Sequence, residues 1–303
     1  MSRSCVSLVL LVLLATTSSA QQPSSQHGPV KLVWKFKEKD RFILESQVSQ
    51  VQMRRGGGQL HKDVVRAQVI SSFTVIKVED KDKSVELEQK IEDARFLFDG
   101  TDRLNAALHA DLYGKLKGAV FHITLTEEGK VRKLEGYDAL VKSIAENSAQ
   151  DAERFKVMVP EESLKNATEE GFGCFPITTL KQGETWSRPV TIPVPPAGAL
   201  KGEMTYTLRG VTRGKAKVTG KCDSCEYQPG SNLSTGIKSS FTLDTRESVL
   251  QFDLEKGRLA SAEINTRFRG RLTNSGDLEL NSVPLLEVEM QQNVKISVRD
   301  KSR

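Results

Sequence analysis

Cys222-Asp-Ser-Cys225 is the one spacing in this 303-residue chain that could carry thiol chemistry. A redox pair so spaced normally opens a helix, whose N-terminus lowers the first thiol's pKa. Here a strand-like Lys215 to Thr219 precedes the pair and Gln-Pro-Gly-Ser-Asn follows it, which predicts a β-turn. A closed zinc site needs four ligands, and the pair supplies two. Cys174, His27, His61, His109 and His122 could add others, but none shows a second metal-ligand spacing. The leading reading is a disulfide, within Cys222–Cys225 or between one of them and Cys174; inert thiols, metal and redox roles stand behind it. No cofactor is expected.

Arg267, Arg269 and Arg271 fall at i, i+2, i+4, so in a strand they project from one face. Three guanidinium groups in a stripe can bind phosphate, sulfate or carboxylate. The plainer reading is a solvated stripe paired across strands. Arg209, Arg213, Lys215, Lys217 and Lys221 form a second basic stretch with the same two readings. No Gly-x-Ser-x-Gly, His-Glu-x-x-His, phosphate-binding glycine loop or dinucleotide fingerprint occurs. Glu161-Glu162 and Glu169-Glu170 read as helix-surface charges, so no enzymatic activity is expected. Asn166-Ala-Thr168 and Asn232-Leu-Ser234 match a glycosylation sequon, which matters only in a eukaryotic secretory host.

The elements that would hold these residues follow from pattern. Arg3, the apolar run Val6 to Ala15 and the small residues Ser18-Ser19-Ala20 describe a secretory signal peptide. Residues 21–29 read as a disordered polar tether. The chain carries 44 basic and 39 acidic side chains, net +5, and loses only Arg3 with the leader. That balance implies no nucleic-acid partner. Without a second apolar run of spanning length, the mature chain is not expected to be an integral membrane protein. Location is then periplasmic or extracellular.

Period-two alternation dominates the rest and predicts half-buried strands. Leu32 to Phe36 reads as the first, 42–53 and 60–78 as a hairpin about Gly56-Gly57-Gly58, and Val85, Leu87 and Ile91 as a fourth inward face. Residues 103–116 read as a short helix or irregular segment. Phe121, Ile123 and Leu125 alternate before Glu128-Gly129. Tyr137, Leu140, Val141 and Ile144 then mark a helix to about Met158, and Pro160 begins another ending near Glu170. Pro189, Pro193, Pro195 and Pro196 restrict 188–199 to an edge or extended loop. The β pattern resumes from Leu180 and runs past this segment through Met204, Tyr206 and Leu208 to the final strand, with Val288, Met290, Val294, Ile296 and Val298 on one face.

Val120 to Val131 resembles Val249 to Leu259, and Phe36-Lys-Glu-Lys-Asp-Arg-Phe42 echoes Leu180-Lys-Gln-Gly-Glu-Thr-Trp186, both in the same order. This suggests two β halves, 30–136 and 171–303, around a helical segment 137–170, in one continuous unit.

Leu32-Val-Trp-Lys-Phe36, Val85 to Ile91, the Phe121–Gly136 hairpin and Gln182-Gly-Glu-Thr-Trp186 together resemble a family of exported bacterial proteins known only as a domain of unknown function. The resemblance covers most of 30–298 and implies export and a β-rich plan, with no catalytic residue to carry over. Lys39 stands where such proteins usually have Gly. The expected fold is α+β, dominated by antiparallel sheet curled into a half-barrel or sandwich, with the central helices covering one face. A cleft between sheet and helices suits an amphipathic or lipid-like ligand. The alternative is a structural or interaction protein contacting envelope partners or polyanionic surfaces; the oligomeric state is open.

Overall fold

The computed structural model describes residues 28–100, 103–194, 197–230, 237–274 and 285–301. The leader expected at 1–20, nearly all of the tether and the Asn232 sequon lie outside them. One 12-stranded antiparallel sheet forms the body, open at both ends.

In chain order the first half runs β1 (Val30–Lys31), β2 (Arg41–Gly56), β3 (Gln59–Glu79), β4 (Ser84–Asp99), α1 (Arg103–Gly114), β5 (Val120–Thr126) and β6 (Val131–Glu135). Next come α2 (Tyr137–Asn147), α3 (Ala149–Met158) and α4 (Glu161–Gly173). The second half is β7 (Thr179–Leu180), β8 (Thr185–Val194), β9 (Gly198–Thr212), β10 (Lys215–Cys222), β11 (Cys225–Pro229), β12 (Ile237–Asp253), β13 (Arg258–Asn274) and β14 (Leu286–Asp300). Each half is a meander, save that β11 returns to pair with β9 while β10 pairs with β12, and β14 joins the halves by pairing with both β13 and β2. β1 pairs with β7 in a separate two-stranded ribbon.

Three local expectations are corrected. Leu32 to Phe36 is not a strand: the ladder stops at Lys31, although Leu32 stays buried. The segment is occupied otherwise, for Trp34 Nε1 donates to Phe172 O (2.9 Å) and Lys35 N to Gly257 O (2.7 Å). The helix predicted over 137–158 is two helices, because Ser148 is extended and its side chain accepts from Asp151 N (3.1 Å) as the cap of α3. Pro160 caps α4 from outside its first turn, and that helix continues to Gly173. The proline-bearing segment is an edge strand as expected, β8, with Pro189 and Pro193 in its pairing with β9.

The two meanders begin alike. Lys39 (φ +71°) and Gly183 (φ +88°) both adopt the left-handed region. Lys39 N donates to Val75 O (2.8 Å) and Val75 N to Asp40 O (2.9 Å); Gly183 N donates to Leu208 O (2.7 Å) and Leu208 N to Glu184 O (3.0 Å). Each loop then leads into a stacked cross-strand aromatic pair, Phe42–Phe73 at 5.0 Å and Trp186–Tyr206 at 5.6 Å. In the Phe36–Phe42 and Leu180–Trp186 echo, these loop bonds are thus equivalent.

Two cores result. One gathers β8–β13 around Leu200, Leu208, Val218, Leu250 and Phe252; the other packs α2–α4 on β3–β5 through Leu87, Ile123, Tyr137, Ile144 and Phe155. Trp34 and Val298 touch both. The end of α4 sits between them, its carbonyls satisfied by Trp34, by Trp186 Nε1 on Cys174 O (2.8 Å) and by Arg188 on Gly173 O and Phe175 O (3.1 and 3.2 Å).

Candidate functional site

Between the cores the long strands keep a face that neither core fills. Residues opposite each other in an antiparallel ladder share a face, so the register traces rows across the sheet. One row runs Tyr206, Gly220, Ser248, Ile264, Val294, Val48, Ala67, Phe96 through β9, β10, β12, β13, β14, β2, β3 and β4. Tyr206 and Ser248 are buried, but the row from Ile264 to Phe96 is only half-buried. With Val65 and Phe98 in the neighbouring row, these apolar side chains belong to neither cluster. The face carries an apolar stripe. His109 of α1 meets Phe96 edge-on (5.8 Å) and Tyr113 packs against it at a tilt (5.6 Å), so both stand over its β4 end.

The adjacent row is polar: Cys222, Arg246, Thr266, Gln292 and Gln50, before it ends in Val65 and Phe98. Arg246 is buried, donates to Thr266 Oγ1 (3.0 Å) and pairs with Glu170 of α4. Gln292 Nε2 lies 3.4 Å from Gln50 Oε1. Arg246 Nε and Ser248 Oγ are buried without a partner among the described residues. A polar band in which Arg246 Nε is unsatisfied therefore borders the apolar stripe, whose own row holds the unsatisfied Ser248 Oγ.

Cys174, Arg188, Tyr206 and Glu170 line an adjoining cavity of about 320 Å3. Burial, with Glu170 beside it, raises the Cys174 thiol's pKa, and burial raises that of Tyr206. Both groups stay protonated, so neither is poised as a nucleophile. No cluster of three or more His, Cys, Asp or Glu suited to a metal occurs among the described residues.

The residues singled out in the sequence lie elsewhere or at the border. Arg267, Arg269 and Arg271 share the outer face of β13, each beside a carboxylate: Arg267 with Glu289 (2.6 Å), Arg269 with Asp244 (3.2 Å) and Arg271 with Glu287 (3.4 Å). Arg269 and Arg271 line an open cavity of about 470 Å3 with Met53, Arg55 and Leu60. Cys222 and Cys225 flank a two-residue break between β10 and β11, their sulfurs 3.2 Å apart as thiols; Cys174 is likewise a free thiol. Asn166 lies on the cavity beside α4.

Arg246 and Glu170 were not distinguished by sequence pattern. Glu169-Glu170 looks like surface charge, yet Glu169 accepts from Val131 N (2.8 Å) and Glu170 meets Arg246. A signal does exist in β12. Inward Phe241 and Leu243 are odd-numbered, whereas inward Arg246, Ser248, Leu250 and Phe252 are even, and a bulge between Leu243 and Thr245 shifts the phase.

Residues 73–259 match the profile described as "Family of unknown function (DUF6263)", and the chain belongs to that family. No curated protein matches it. Among solved structures it is similar to DynF from the dynemicin biosynthesis pathway of Micromonospora chersina at TM-score 0.18 and 8% identity, covering 92% of this chain and 89% of that one. Pseudomonas aeruginosa OccK5 (OpdH) aligns at 0.24 and 6%, over 87% and 99%. A DUF1329 family protein from Desulfovibrio piger aligns at 0.13 and 9%, over 85% of each. Likenesses this slight carry no argument about fold or function.

Proposed function

We propose that this family member is an exported, non-enzymatic binding protein of the cell envelope, periplasmic or extracellular, that holds an amphipathic ligand on the inner face of its open sheet. The half-buried row Ile264, Val294, Val48, Ala67 and Phe96, outside both cores, carries the reading. Apolar surface left partly open to water gains about 25 cal/mol for each Å2 covered, so an acyl or ring-bearing ligand has a driving force there. The bordering Arg246, Thr266, Gln292 and Gln50, with the unpartnered Arg246 Nε and Ser248 Oγ, favour a ligand polar at one end. The apolar leader pattern of residues 6–15 supports export. No helix among the described residues is long and apolar enough to cross a membrane.

Native mass spectrometry of protein purified from its own host tests the reading. A co-purifying lipid or small amphiphile, released by solvent extraction, is expected. A bare chain that also fails to take up added fatty acid would favour the interaction-protein alternative.

A further inference from the structure

We propose that Cys222 and Cys225 form an oxidation site, closing to a local disulfide that pins the β11 arm onto the sheet. The two sulfurs stand 3.2 Å apart. Cys222 pairs in the ladder with Arg246 and Cys225 with Gly202, so both ends of the short link are anchored before any bond forms. Gly202 is part of this arrangement: a Cβ there would come within 2.7 Å of Cys225 Sγ, the space the sulfur now occupies. Cys174 is bonded elsewhere, its Sγ 3.8 Å from Gly171 O at the end of α4.

The reaction needs an oxidant, and a small disulfide such as oxidised glutathione serves. One glutathione disulfide and two protein thiols give one protein disulfide and two reduced glutathione molecules. Cys225 is half-buried and Cys222 only 2% exposed, so Cys225 makes the first attack. It loses its proton, bonds to one glutathione sulfur and expels the other as thiolate. Cys222 then attacks the Cys225 sulfur of the mixed disulfide and releases the second glutathione. Burial and the adjacent Cys222 raise the Cys225 pKa, so the first step should quicken as pH rises.

The bond would matter because β11 is only five residues long. Five ladder positions join it to β9, and Tyr227 lays its ring 5.2 Å from Phe241 with its hydroxyl 2.6 Å from Ser239 Oγ. Cys222 is also the terminal member of the polar row containing Arg246. Oxidation would fasten that arm beside the row.

The test equilibrates the purified full chain with oxidised and reduced glutathione at mildly alkaline pH, then denatures, alkylates and maps the peptides. Cys222 and Cys225 should be joined, with the mass of two hydrogens lost, and Cys174 alkylated. Cys222→Ser should accumulate glutathione on Cys225, whereas Cys225→Ser should react far more slowly at Cys222. Alkylation of both Cys222 and Cys225 in the wild-type chain, or recovery of Cys174 in a disulfide, would overturn the proposal. Because the oxidant is supplied, the outcome does not depend on export or on ligand binding.

Discussion

Arg246 gives the residue scale its sharpest test, since a buried guanidinium is stabilised only while its partners remain. Its neighbours are Thr266, which accepts one bond, and Glu170 from α4. Glu170→Gln removes the opposite charge and leaves the cation buried, which should cost about 2–3 kcal/mol of stability in urea unfolding. Arg246→Met combined with Glu170→Leu should cost less than that single change, because a buried ion pair replaced by apolar groups of similar size is often neutral. Asp300 is an exposed contrast. Bonds from Lys256 and Arg258 hold its carboxyl below the ordinary carboxylate range. A carboxylate whose pKa is depressed on folding adds stability above its unfolded pKa, near 4, and loses it as pH falls through the folded value. Thermal unfolding of Asp300→Asn should therefore depend less steeply on pH below about 4 than that of the wild-type chain.

The two lead-in loops make the clearest prediction for elements. Equivalent hydrogen bonds hold Lys39 and Gly183 with positive φ, but only glycine accepts that region without steric cost. Lys39→Gly should leave the fold intact and add up to about 1 kcal/mol, while Gly183→Ala should remove a similar amount, both read from urea midpoints at constant slope. Gly183 thus meets without strain a backbone demand that Lys39 meets at a cost. The strands were legible because Phe121, Ile123 and Leu125, or Val288, Met290 and Val294, alternate between a covered and a wetter face. Leu32 to Phe36 alternates too, yet makes no strand: inward-facing side chains do not reveal whether a backbone finds a ladder partner. Ser148 broke one helical stripe into two because a capping hydroxyl competes locally with helix continuation. Arg246 stayed hidden because a bulge changes which parity faces inward, and the partner residue lies 76 positions away on α4.

At the scale of the whole molecule, two meanders of similar design join through β14 and leave a stretch of inner sheet between their separate cores. The helices serve the first core, and the Trp34, Trp186 and Arg188 side chains tie their C-terminal end to both halves. The apolar stripe is thus a consequence of joining the halves edge to edge. In sequence its residues look like any other strand positions; only the register shows that Val48, Ala67, Val294 and Ile264 stand in line with no core against them.

Fluorescence titration with a long-chain fatty acid probe, on the wild-type chain and on Val48→Asp and Val294→Asp variants, tests this most directly. The wild-type chain should bind saturably at about one probe per chain, and either variant should weaken binding at least tenfold, a loss of about 1.4 kcal/mol, with thermal unfolding still cooperative. Equal affinity in all three proteins, or no saturable binding to the wild-type chain, would contradict a ligand seated on the inner face of the sheet.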